Sequence, residues 1–244
     1  MKRIIFTLML VISSTAILAQ TYNMKIIQGK ASTYSGTSTV DSITFYNTAT
    51  TPFVCGNVLL YGGETYQTVS IGSQCWFQKN LNIGIRTDLS SGQIDNSIIE
   101  KYCYNDLDAN CVTYGGLYQW NEAMQYSIIE GSQGICPNGW HIPTYTELQT
   151  LASVVNNDGN KLKALGQGTG SGSGTNTSGF SALLAGISSS GVGFFSLSNS
   201  AYIWSSTEQE TIYAYALFLY FTNSGPGWPY TDQAHGFSVR CLKN

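Results

Sequence analysis

Few residues in this chain have both the type and the spacing that chemistry needs. Six cysteines, Cys55, Cys75, Cys103, Cys111, Cys136 and Cys241, would offer thiolates for metal binding or nucleophilic attack if they were free. None falls in a C-x-x-C pair, so neither a zinc knuckle nor a thioredoxin-like redox couple has its spacing. An even number in a chain that carries an export leader reads instead as three structural disulfides. The histidines are His141 and His235 alone. Two imidazoles fall short of the three or four ligands a zinc site uses, so a metal or catalytic role is not expected of them. A Ser-His-Asp hydrolase would need a G-x-S-x-G turn, and the sequence has none. Oxygen ligands cluster once, at Asn105, Asp106, Asp108 and Asn110, whose alternation suits the opening of a calcium loop. Cys111 stands where such a loop requires glycine and Leu117 where it requires the bidentate glutamate, so a polar turn is the plainer use of the segment. Calcium through Asp106, Asp108 and Asn110 is the only cofactor with any support, and none is expected.

The remaining candidate is a long segment from Thr222 to His235 that carries Trp228, Tyr230, Asp232 and His235. Aromatic rings on a loop can stack on a sugar or insert at a protein interface, which makes these four the expected ligand-binding residues. Trp228 could instead fold back over the core, the commoner fate of tryptophan. An acid pair such as Glu208 with Asp232 would be the minimum for glycosidic cleavage, the enzymatic alternative.

Residues outside these candidates set the compartment. Lys2 and Arg3 precede an apolar run from Ile4 to Leu18 that ends in small residues, the pattern of a secretory leader cleaved after Ala19. The run is shorter than the roughly 20 residues of a spanning helix and is broken by Ser13, Ser14 and Thr15. No later segment is apolar for long enough, so no transmembrane segment is expected in the mature chain. Eleven basic against 14 acidic residues give a net charge of −3. Loss of Lys2 and Arg3 takes it to about −5, which argues against nucleic acid as a partner. Charged residues make up only 10 % of the chain, so its surface is polar through Ser, Thr, Asn and Tyr, as in many extracytoplasmic β proteins.

The elements that must position the candidates follow from periodicity. Met24 to Ile27 and Val40 to Tyr46 alternate as strands and suggest a small hairpin within residues 20–54. A second hairpin joins Asn57–Tyr61 to Thr65–Ile71 through Gly62-Gly63, and Cys75-Trp76-Phe77 opens another strand. Leu117, Trp120, Ala123 and Met124 recur at helical spacing, predicting a helix of about three turns. A second helix starts at a capping box, Thr144 with Glu147, buries Leu148, Leu151, Ala152 and Val155, and stops at Asn157-Asp158-Gly159. Gly166 to Gly179 is a glycine and serine-rich loop with the composition of a flexible linker. Strands are expected at 201–205, 212–221 and 236–242, the last with Phe237, Val239 and Cys241 on one face. Two helices between strand-rich halves predict an α+β domain.

Five stretches, Gln74–Leu81, Tyr114–Trp120, Gly134–Pro143, Trp204–Glu208 and Gly236–Cys241, together resemble the Fibrobacter succinogenes major paralogous domain, over roughly residues 55–243. The Met24–Phe45 segment is similar to a hairpin often found beside that domain in Bacteroidota. The resemblance implies a C-type lectin-like fold with two helices and a curled antiparallel sheet, preceded by the N-terminal hairpin, in an exported family of largely uncharacterised function. By position it implies a bridge from Cys136 to Cys241, leaving Cys103 with Cys111 and Cys55 with Cys75 as local pairs. The Glu-Pro-Asn or Gln-Pro-Asp tripeptide of calcium-dependent sugar binding is missing, and bridging of Cys241 removes the reactive cysteine that enzymes of related fold employ. The expected function is therefore a noncatalytic module at the cell surface or secreted, binding a glycan or a surface protein. An enzyme acting on polysaccharide or envelope substrates and a purely structural surface protein are the alternatives.

Overall fold

The computed structural model describes residues 53–189 and 191–244. The leader at 1–19 and the hairpin strands at 24–27 and 40–46 lie outside the described residues. Gly62 and Gly63 take φ angles of 58° and 81°, the left-handed values a two-residue hairpin demands. They fold β1 (Val58–Tyr61) onto β2 (Glu64–Ile71), with Tyr61 opposite Glu64. A further reversal brings β3 (Gln74–Phe77) antiparallel to β2. Alternation along β3 then feeds two cores, because Trp76 packs with Ile71, Leu148 and Leu151 while Phe77 packs with Tyr66, Trp140 and Trp204.

Two short strands, β4 (Ile85–Arg86) and β5 (Glu100–Lys101), pair in parallel ahead of the helical middle. Two segments here differ from what the sequence leads one to expect. The oxygen-rich run expected to be a polar turn is a 3-10 turn followed by helix α1 (Asp108–Tyr114), with Cys103 bonded to Cys111 across it. The three-turn helix expected from Leu117 is a single turn, α2 (Trp120–Ala123). Leu117 and Tyr118 are extended and bridge Tyr102 and Phe237, and Gln125 and Tyr126 stop the helix by adopting left-handed backbone, φ 51° and 58°. All four residues of the stripe are buried, so their spacing records a shared core and not a long helix.

Strand β6 (Trp140–His141) leads into α3 (Tyr145–Val154). The capping box is formed: Thr144 Oγ1 accepts from the Glu147 amide at 3.1 Å, and Glu147 Oε2 accepts from the Thr144 amide at 2.8 Å. Leu148, Leu151, Ala152 and Val155 are buried as expected, each leucine contributing about 1.5–3 kcal/mol. Glu147 also accepts from His141 Nε2 at 3.0 Å, while His141 Nδ1 lies 2.6 Å from Asn244 Oδ1. Burial disfavours the imidazolium, but the bonds to Glu147 and Asn244 outweigh it and raise the His141 pKa above its ordinary 6.5. Burial alone would raise Glu147, yet His141 and Thr144 hold it below its ordinary 4.5. The His141 contribution is present in full below pH 6.5 and fades as pH rises through its elevated folded pKa, whereas that of Glu147 fades as pH falls below 4.5. The stability difference between the native chain and His141→Gln, read by urea denaturation, is thus expected to peak between those limits, at about 1–2 kcal/mol, and to shrink toward pH 8. A difference that is flat across that range would refute the pair's contribution.

The C-terminal part holds β7 (Ala185–Ser189), β8 (Gly193–Leu197), β9 (Ser200–Glu210), β10 (Tyr213–Tyr220), β11 (Tyr230–Asp232) and β12 (Leu242–Lys243). Two five-stranded sheets result. The first, ordered β1-β2-β3-β12-β6, is antiparallel, and the second is ordered β11-β10-β9-β7-β8 with one parallel pairing, β7 with β9. Register shifts between Tyr213 and Ala216 bend β10 against β9, so the domain is α+β with few helices and curled sheets.

The strand expected at 236–242 is a ladder only at Leu242–Lys243. Upstream, Gly236, Phe237 and Ser238 make single bridges to Ser188, Tyr118 and Ile203, threading between the sheets. Phe237, Val239 and Cys241 do share the core face. On the reverse face Arg240 is wholly buried, its Nε donating to Asn80 Oδ1 at 2.8 Å and its terminal nitrogens to the carbonyls of Phe77, Phe180 and Ser181. The Gly166–Gly179 segment, read as a flexible linker, is organised in the same manner around a second cation. Lys163 Nζ is buried and donates to the carbonyls of Gly172, Tyr220 (2.8 Å) and Asn223 (2.9 Å), closing the loop over the end of β10.

Candidate functional site

The capping box that starts α3 also fixes where Tyr145 points, since its amide donates to Thr207 Oγ1 on β9 at 2.8 Å. The Tyr145 ring stacks on Tyr215 of β10, centroids 4.3 Å apart and planes 21° from parallel. Trp228 meets the other edge of Tyr145 at 5.7 Å. Trp228 is held there because Gly227 pairs with Phe218 so closely that a Cβ on it would lie 2.8 Å from the Phe218 ring. Pro229 then accepts from the Ala216 amide, and what was expected as open loop becomes strand β11, with Tyr230 opposite Tyr215 and Asp232 opposite Tyr213.

Strand alternation sorts the side chains of this edge. Tyr230 and Asp232 share the outer face with Tyr213 and Tyr215, while Thr231 shares the inner face with buried Ala214. Tyr230 is nearly perpendicular to both tyrosines, 6.0 and 6.1 Å away, and is 58 % exposed. Tyr145, Tyr213, Tyr215 and Trp228 are half-buried. The result is a continuous aromatic face on α3, β10 and β11.

Beyond Asp232 the face runs into a cleft of about 280 Å³ lined by Gln93, Gln119, Asn121, Tyr126, Asp232 and Gln233. Its walls are preset. Gln119 donates to the Ala234 carbonyl and its amide to Gln93 Oε1, and Tyr126 donates from its hydroxyl to Glu122 at 2.8 Å. Burial raises the pKa of Glu122, against the bonds from the Glu100 amide and Tyr126 that lower it. With no surface of its own on the cleft, Glu122 positions Tyr126. Two other depressions are less suited to a ligand. A cavity of about 20 Å³ beside Asn80 and Tyr114 has room for about one water, and a shallow site of about 300 Å³ at Ser70 and Val154 has no aromatic side chain in its lining.

The four expected residues therefore divide. Trp228 and Tyr230 lie on the aromatic face, Trp228 also packing partly on the second core as the alternative reading had it, and Asp232 joins face to cleft. His235 does not join them: its Nδ1 is 3.0 Å from Thr231 Oγ1 on the inner side, and its ring lies parallel to Phe237. His141 is on the other sheet. Glu208, opposite Ala214, sits on the inner face and accepts from Gln233, so it and Asp232 do not face one another across a common space. Asp106 Oδ1 accepts from the Leu89 amide, Asp108 pairs with Arg86, and Asn110 donates to the Tyr104 carbonyl. Among the described residues no group of three or more His, Cys, Asp or Glu is placed to hold a metal ion. Tyr145, Tyr213 and Tyr215 were missed, although Tyr213 and Tyr215 alternate in the sequence as two residues on one strand face.

The disulfides are Cys55–Cys75, Cys103–Cys111 and Cys136–Cys241, the pairs named above, and no described cysteine is free. Such a set suits an oxidising environment. No helix of the described residues is long and apolar enough to cross a membrane. The stretches that carried the resemblance meet in the interior. The Asn80 side chain donates to the Tyr114 carbonyl and to Ser238, Trp204 Nε1 to the Tyr118 carbonyl, and Trp120 Nε1 to the Ser205 carbonyl. Neither the curated proteins nor the solved structures yielded a match. Residues 69–243 match the Fibrobacter succinogenes major domain, and with most of its length so matched the chain belongs to that family.

Proposed function

We propose that the protein is an exported, noncatalytic binding module of C-type lectin-like organisation, acting at the cell surface or secreted, with the Tyr145–Tyr215–Tyr230–Trp228 face as its contact surface. The leader-like residues 1–19 and three disulfides support export. The observation that carries the binding reading is the exposed ring of Tyr230, backed by tyrosines that already stack on one another. Rings held by neighbours lose little further freedom on binding, which is how aromatic residues come to dominate interfaces. The separation of Glu208 from Asp232 on opposite sheet faces weighs against the enzymatic alternative.

The full chain, screened on a glycan array and against outer-envelope proteins, is expected to give a ligand whose affinity falls roughly tenfold or more in Tyr230→Ala, since one interface aromatic contributes on the order of 1–2 kcal/mol. Tyr230 is mostly exposed, so the variant should melt as the native chain does. A ligand bound equally well by Tyr230→Ala would move the contact surface elsewhere.

A further inference from the structure

We infer that the ligand of this face is an uncharged polysaccharide, lying over the tyrosines with the hydroxyls of an adjoining sugar ring in the cleft below Asp232. The inference rests on the binding-module reading and adds the chemical class of the ligand.

Charge gives the first reason. Every described lysine and arginine is placed away from the face. Lys79 pairs with Glu64, Arg86 with Asp88 and Asp108, Lys101 donates to Asn82 and Lys161 to the Val155 carbonyl. Lys163 and Arg240 are buried, and Lys243 is on the first sheet. What the face does carry is acidic, with Asp232 in the cleft and Glu210 opposite Tyr213. Among the described residues a polyanion would meet like charge and no counter-charge, and would be rejected.

The cleft's polar groups give the second. Asn121 and Thr211 are exposed on its lining, and Asp232 uses one oxygen on the Ala234 amide and has another to offer. These are a donor-acceptor amide, a hydroxyl and a carboxylate acceptor within one cleft, a set that matches neighbouring sugar hydroxyls, each able to donate and to accept. The flat rings beside it suit the apolar face of a sugar.

Backbone geometry gives the third. A peptide would be expected to add to a free sheet edge, and β11 is the edge strand here. It is three residues long and is preceded by Pro229, which has no amide to donate, so it offers little ladder to extend.

Affinity electrophoresis of the full chain through gels holding hydroxyethylcellulose, xyloglucan, galactomannan or mixed-linkage β-glucan, and through gels holding polygalacturonate or alginate, separates the cases. Retardation by at least one neutral polymer and by neither polyanion is expected. Binding to that polymer should weaken about tenfold or more in Tyr230→Ala and by about threefold or more in Asn121→Ala, both with native melting temperature. It should also persist over an approximately tenfold rise in salt, which would screen an electrostatic ligand. Retardation by polyanions alone, or neutral binding indifferent to both substitutions, overturns the inference. A protein partner lost in Tyr230→Ala with no polymer retarded overturns it too, while leaving the binding-module reading in place.

Discussion

Arg240→Met is expected to destabilise the domain by about 3–5 kcal/mol, a large share of the roughly 5–15 kcal/mol that holds a domain folded. The guanidinium is wholly buried and has no carboxylate partner among its contacts. Four N–H bonds run from it to Asn80 Oδ1 and three backbone carbonyls, and its Cζ lies 4.5 Å from the Phe180 ring centroid. Burial pushes its pKa down to about 9, still above neutrality, so the charge persists at pH 7. Methionine would fill most of the volume but would leave the Asn80 oxygen and the carbonyls of Phe77 and Phe180 short of a donor, at about 1–3 kcal/mol for each that neither water nor another group satisfies. Lysine keeps the charge but cannot reach in the directions of a planar fork, and Arg240→Lys should recover less than half of the loss. Urea denaturation of both variants reads this directly. A loss under about 1 kcal/mol in Arg240→Met would mean that water takes the guanidinium's place.

Removing the Cys136–Cys241 bridge should have an effect of similar size. It joins residues 105 apart, and constraint of the unfolded chain over a loop of that length is worth about 4–5 kcal/mol. The same reasoning assigns roughly 3 kcal/mol to Cys55–Cys75, separated by 20 residues, and about 2–3 kcal/mol to Cys103–Cys111, separated by 8. Paired Cys-to-Ala variants should therefore rank in that order by denaturant midpoint. Both sulfurs of the long bridge are wholly buried, so its double variant also loses core contacts, which widens the gap. A double variant at Cys136 and Cys241 as stable as that at Cys103 and Cys111 would contradict the ranking.

How much of this was legible depended on whether a feature is local. The capping box at Thr144 and the Gly62-Gly63 hairpin are fixed within a few residues, and both stand where the sequence places them. Leu117, Trp120, Ala123 and Met124 obey helical spacing and yet make one turn, because Leu117 and Tyr118 bond instead to strands that arrive from Tyr102 and Phe237. No local pattern announces that a lysine in a glycine-rich segment, or an arginine in an apolar strand, will be buried. Lys163 and Arg240 are satisfied by carbonyls from up to 163 residues away, which only the tertiary fold brings near. The candidate site was half legible for the same reason. Trp228, Tyr230 and Asp232 lie in one sequence segment, whereas Tyr145 reaches the face from a helix of the other half, and His235 leaves it through a turn.

The residues of the five stretches that carried the resemblance and those that form the face are separate sets. Asn80, Tyr118, Trp120, Cys136, Trp204, Arg240 and Cys241 are buried, while Tyr145, Tyr213, Tyr215, Trp228 and Tyr230 lie between those five stretches, inside the family match over 69–243.

Strand β12 has a consequence for the order in which the molecule can be made. Leu242 pairs with Trp76 on one side and His141 on the other, so the first sheet is divided until this strand is inserted. Gly236 to Ser238 likewise bridge three earlier segments. A chain present only to residue 235 thus carries every strand of the second sheet but not the one that closes the first, and Cys136 is without its partner. The first sheet can close and its long bridge can form only once residues 236–243 have joined it, so assembly of the domain is expected to finish at this segment.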